Sequence, residues 1–108
     1  MDIHEKILRD TFNPNKWVNV HKRLIKRIGP AEAILVTYML RKEEESEDAW
    51  ILIYPEVIEM HLGYPEELTE KICAKFIEQG LILTRPDELD AETTLFQISE
   101  DVLTAIMK

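Results

Sequence analysis

Cysteine, glycine and long apolar runs are all scarce in this 108-residue chain, and each shortage removes a class of protein. Cys73 is the one cysteine, so no intramolecular disulfide forms, and the simplest compartment is a reducing, cytoplasmic one. The three glycines are scattered, which leaves no glycine-rich loop to cradle a phosphate. The three histidines are scattered too, without the ligand spacing that a zinc site needs. No nucleophile elbow and no metal-binding helix motif occurs, and Cys73 has no His or carboxylate arranged to activate it. No cofactor, no metal and no enzymatic activity are therefore expected. No stretch approaches the about 20 apolar residues of a membrane span, and the opening MDIHEKILRD mixes acids with bases, unlike a signal peptide. No membrane partner is expected.

What is present is a strongly uneven charge. The net charge is −8, but residues 1–42 hold nine Lys and Arg against four Asp and Glu, while residues 43–108 hold four against seventeen. A dipolar chain of this kind suits self-association or docking on a charged partner, and its overall field repels a polyanion. At 45% hydrophobic it has enough apolar residues for one domain, residues 1–108, without staples.

Along the chain, Ile3, Ile7 and Leu8, extended by Phe12, predict a first helix that Asn13-Pro14-Asn15 stops. Trp17, Val18 and Val20 lead into a short amphipathic helix over 21–28, with Leu24, Ile25 and Ile28 on one side and bases on the other. Gly29 is suited to end it and Pro30 to start the next, which runs to about Lys42 and is apolar almost all the way round, as a central helix should be. The charge block at 43–48 reads as a solvated loop. AWILIY at 49–54 reads as a buried strand, bounded by that block and by Pro55.

From Pro55 the pattern is a short helix to His61, a tight turn at Leu62-Gly63-Tyr64, and a longer helix from Pro65 to Gln79. Gly63 permits a left-handed backbone in the turn, and Pro65 suits a first helical position. Leu68, Ile72, Cys73, Phe76 and Ile77 give the second helix its inner side. His61, at a helix end where a cation is favoured, is read as a C-terminal helix residue. Residues 81–85 and 94–99 are β-prone arms around an acidic tip containing Asp87, Glu88, Asp90 and Glu92. These acids lack the glycine and spacing of a calcium loop. Ser99 then caps a terminal helix with a stripe of Val102, Leu103 and Ile106.

This order is that of an α+β winged helix-turn-helix with extra N- and C-terminal helices: a winged-helix unit over 17–99, with helical extensions at 1–16 and 100–108. The predicted core contains Ile34, Leu35, Tyr38, Leu52, Ile58, Ile72, Phe76, Leu81 and Phe96. Several strings sharpen the resemblance. Gly29-Pro30-Ala31-Glu32-Ala33, Leu62-Gly63 and Glu78-Gln79-Gly80-Leu81-Ile82, in the context of residues 17–99, resemble the winged-helix domain of phage and plasmid replication initiators, including the DnaD-like replisome organisers. The resemblance implies a role in DNA replication or its regulation. The chain departs from the family in its second helix, which opens with Pro65, Glu66, Glu67 and Glu70 where Ser, Arg, Thr or Gln is usual, and in its acidic wing.

That departure decides which residues are candidates. Acids in a first helical turn meet the positive end of the helix dipole, which accounts for Glu66 and Glu67 structurally. They nevertheless place like charge against phosphate if this helix enters a groove. Tyr64, Glu66, Glu67, Glu70 and Lys71 are therefore candidates for binding a protein partner, with Tyr64 as an aromatic anchor. Lys22, Arg23, Lys26 and Arg27, stacked at i, i+4 and extended by Lys16, are candidates for contact with nucleic acid or an acidic partner; the ordinary alternative is a solvated helix face. Three functions stay open: a protein-interaction module of a phage or mobile element, a DNA-binding regulator using residues 21–28, and an acidic decoy of a nucleic-acid-binding protein. The terminal stripes, Ile3, Ile7, Leu8 and Phe12 with Val102, Leu103 and Ile106, also predict a homodimer unless they cover one another.

Overall fold

The computed structural model describes residues 20–108. The helix expected over 2–12, its apolar stripe, Lys16, and Trp17 and Val18 of the lead-in lie outside the described residues. Among the described residues the chain is α+β, with five helices and one two-stranded antiparallel sheet.

Helix α1, Lys22–Ile28, is capped by His21, whose side chain accepts the N–H of Arg23 at 3.1 Å. It buries Leu24 and ends at Gly29, whose φ of 99° and ψ of 158° suit only a residue without a Cβ. A Cβ there would also collide with the carboxylate of Glu32. Helix α2, Pro30–Glu45, starts at once with proline at its first position, as expected. Ala33, Leu35, Val36 and Met39 are fully buried along it, so this helix is the centre of the core.

Helix α2 runs one turn further than its sequence suggests, and residues 43–45 are helix, not loop. Like charges normally unwind such a block, but here Glu43 has a tertiary partner: its carboxylate accepts the backbone N–H of Ile98. Lys42 adds an i, i+3 ion pair to Glu45 at 3.6 Å.

The strand expected at 49–54 is reduced to one bridge. Ile51 exchanges backbone bonds with Phe96 at 2.9 and 2.8 Å, and pairing goes no further. Ala49 bends the chain at φ 61° before it, and the Tyr54 carbonyl is taken by the N–H groups of Val57 and Ile58 after it. Extended backbone alternates its side chains, so with Ile51 buried and Ile53 half-buried, Leu52 and Tyr54 point out. Leu52, expected in the core, is 42% exposed. Ile34 is half-buried and outside the central cluster, while Tyr38 and Phe96 pack against that cluster from its margin.

Helix α3, Pro55–Leu62, ends at Gly63 in a left-handed conformation with φ 74°, as the turn demanded. Pro65 then stands just before helix α4, Glu66–Glu78, as its N-cap. The hydroxyl of Tyr38 on α2 and Nδ1 of His61 on α3 lie 2.8 Å apart, which ties the two helices together. Strands β1, Ile82–Pro86, and β2, Thr94–Ile98, pair antiparallel with Thr84 opposite Phe96. Ser99 caps helix α5, Glu100–Met107, accepting the N–H of Val102 at 3.3 Å. Phe76, Leu35, Met39, Ile58, Leu81 and Val36 are the largest apolar side chains sealed between α2, α3, α4 and the start of β1.

Candidate interaction surfaces

Helix α4 is amphipathic by the spacing of its residues, and the packing sorts them. Ile72, Cys73 and Phe76 are buried, and Glu66, Glu67, Glu70, Lys71, Lys75 and Glu78 are exposed. The four glutamates form no ion pair among the described residues, and against Lys71 and Lys75 they leave this face net negative. Glu66 and Glu67 lie in the first turn, where the helix dipole favours them. Thr69, which the sequence did not mark, turns inward at 1% exposure, and its hydroxyl has no hydrogen-bond partner among the described residues. Burial raises the pKa of Cys73 to about 11, so the thiol stays protonated at neutral pH.

Tyr64, the expected aromatic anchor, also has a role within the fold. Its ring is half-buried against the core and its hydroxyl donates to the carbonyl of Ala31 at 2.9 Å, which fastens the turn onto the start of α2. Burial, and then the nearby charge of Glu32, raises its pKa. The wing acids also have local duties. Asp87 accepts from the N–H of Leu89, and Asp90 accepts from Glu92 N–H and from the Thr93 hydroxyl at 2.7 Å. The Thr93 bond, followed by that from Glu92, lowers the pKa of Asp90.

The basic cluster divides into two pairs. Lys22 and Lys26 are exposed. Arg23 donates to the carbonyl of Met107 at 3.0 Å, and Arg27 to that of Lys108 at 3.2 Å. These arginines thus bind the C-terminal end of α5, where helix carbonyls lack partners and a cation is favoured. Val102, Leu103, Ile106 and Met107 are half-buried and pack against the core, so the C-terminal stripe is engaged in part within its own chain.

A third surface had no counterpart among the expected sites. Lys42 and Tyr38 of α2 border a groove of about 220 Å³ whose other wall is Leu52, Ile53, Tyr54 and Val57. Its signal was present in AWILIY, which has more apolar residues than one face of a short strand can bury. Beside it Arg85 sits 4.4 Å from the ring centre of Trp50 and pairs with Asp48 at 3.1 Å. The N–H of Trp50, then the hydroxyl of Ser46, keeps the pKa of Asp48 low.

Among the described residues no three His, Cys, Asp or Glu side chains come together as a metal site requires, and no helix is long and apolar enough to cross a membrane. Comparison of the chain with protein-family models, with characterised proteins and with solved structures gave no match.

Proposed function

We propose that the chain is a winged helix-turn-helix module of a nucleic-acid transaction system, of the kind phages and mobile elements use in replication or its control, and that it acts by contacting another protein. It has no catalytic role in this reading. The order helix, bridge, helix, turn, helix, hairpin supports the winged-helix assignment, with α3 and α4 as the helix-turn-helix and β1 and β2 as the wing. The observation that carries the functional reading is the outer face of α4, where Glu66, Glu67, Glu70 and Glu78 stand exposed without ion pairs among the described residues. A helix docked in a major groove through such a face would set these charges against phosphate and forfeit the counterion release that drives nonspecific binding.

The test combines a gel-shift on duplex DNA across salt concentrations with capture of partners from lysate. Wild-type protein is expected to leave duplex unshifted, while E66Q/E67Q/E70Q gains salt-sensitive duplex affinity. Partner capture should be lost in the charge-reversed E66K/E67K/E70K protein. Tight, sequence-specific duplex binding that collapses on mutating Glu66 or Glu67 would overturn the proposal.

A further inference from the structure

The segment at residues 50–54 has an edge that the fold does not use. Ile51 directs its N–H and C=O to Phe96, and in an antiparallel pair the next residue turns the same groups to the opposite side. That residue is Leu52, and neither its N–H nor its C=O has a hydrogen bond among the described residues. The flanking positions are closed. Trp50 gives its N–H to Asp48 at 3.1 Å and accepts from Ser46 at 2.9 Å, while the Tyr54 carbonyl caps α3. The Leu52 N–H and C=O and the Tyr54 N–H are left as a short, open run of strand edge.

The groove between α2 and this segment lies along the open run, walled by Tyr38, Met39 and Val57. A shallower continuation of about 320 Å³ passes Lys42 toward Glu45 and Trp50. Glu45 lines that end and is exposed, as are its sequence neighbours Glu44 and Glu47.

We propose that this edge takes up an extended segment of a partner protein as an added β-strand. Apolar side chains at alternate positions of that segment enter the groove beside Tyr38 and Val57, and basic side chains meet the acidic end. An extended chain is selected because the unpaired groups are main-chain donors and acceptors at strand spacing, which a helix or a nucleic acid cannot match. Basic residues are selected because Glu44 and Glu47 have no ion pair among the described residues. The inference is independent of the role proposed for α4.

The probe is a capped seven-residue peptide of alternating lysine and valine, titrated into the ¹⁵N-labelled protein. Amide shifts should centre on Leu52 and Tyr54, and hydrogen exchange at the Leu52 amide should slow. Methylating one edge-facing peptide nitrogen removes a single hydrogen bond and should weaken binding by about tenfold. L52P removes an N–H that the fold leaves unused and should lose the peptide to at least a similar extent, with its fold checked by urea unfolding. Should L52P not fold, the methylated peptide still decides. Shifts centred elsewhere, no shifts at all, equal binding of the methylated peptide, or equal binding of a glutamate-valine peptide would each overturn the proposal. A wild-type dimer in light scattering that L52P dissociates would overturn it too, by giving the edge to a second copy.

Discussion

Replacing Arg23 and Arg27 together by alanine tests whether the basic helix is a binding face or a clamp. Their guanidinium groups reach the carbonyls of Met107 and Lys108 at 3.0 and 3.2 Å, so the double variant removes both bonds and both cations from the end of α5. A cation at an exposed helix C-terminus contributes about 0.3–1 kcal/mol, and the geometry here adds a hydrogen bond to each. Because the pair is exposed and screened, the joint loss should be about 1–2 kcal/mol, with further loss if α5 loosens from α1. For a chain of this size that is a fall in Tm of about 4–12 °C. Thermal and urea unfolding followed by circular dichroism measure it directly. K22A/K26A is the control, expected within about 0.5 kcal/mol of wild type, since both lysines are exposed and neither has an ion pair among the described residues. The loss in the arginine variant should shrink in 1 M salt, where the Debye length is about 3 Å. Equal stability of the two double variants would refute the clamp and restore the four residues as one surface.

Glu43→Gln should keep an acceptor for the Ile98 N–H while removing a charge whose pKa is raised by burial, and secondarily by Glu100, against the lowering effect of that bond. The folded state binds the Glu43 proton more tightly than the unfolded state, so this carboxyl's stabilisation is full below the unfolded pKa and is lost as pH rises through the raised folded value. Urea midpoints from pH 4 to 7 should therefore move in favour of E43Q as pH increases. Tyr64→Phe should cost about 0.5–1.5 kcal/mol in urea unfolding through loss of the bond to Ala31, without changing the helical signal. Cys73, 8% exposed and with its thiol raised to about 11, should react with a thiol reagent at pH 8 only as fast as the protein opens. Labelling as fast in native buffer as in denaturant would contradict its burial.

The elements legible in the sequence were those that local chemistry decides. Gly29 before Pro30 marks a helix end and a helix start whatever surrounds them, and Gly63 before Pro65 does the same for the turn. Ser99 with Glu100 and Asp101 announced α5 in the same way. What sequence spacing did not carry was the identity of tertiary partners. Residues 43–45 looked like a solvated block because nothing local reveals that Glu43 meets the Ile98 N–H. Arg23 and Arg27 were recognisable as a stacked pair at i, i+4, but the helix end they hold lies more than eighty residues away in sequence. AWILIY was legible as extended and apolar. Its single bridge reflects the bend at Ala49 and the start of α3, which leave it little length in which to pair.

The internal use of the positive charges bears on which partner the chain suits. Arg23 and Arg27 hold α5, Arg85 is shared between Trp50 and Asp48, Lys42 pairs with Glu45, and Arg41 is also engaged. The ion pairs of Lys42 and Arg85 cancel charge locally, whereas on α4 Glu66, Glu67, Glu70 and Glu78 have no ion pair among the described residues and outnumber the exposed Lys71 and Lys75. The outer face of α4 therefore carries a net negative charge. A polyanion approaching α4 is repelled by the field of this face. A cationic protein surface meets the same field as attraction, which supports the reading of α4 as a protein-binding helix and predicts an association rate that falls as salt is raised.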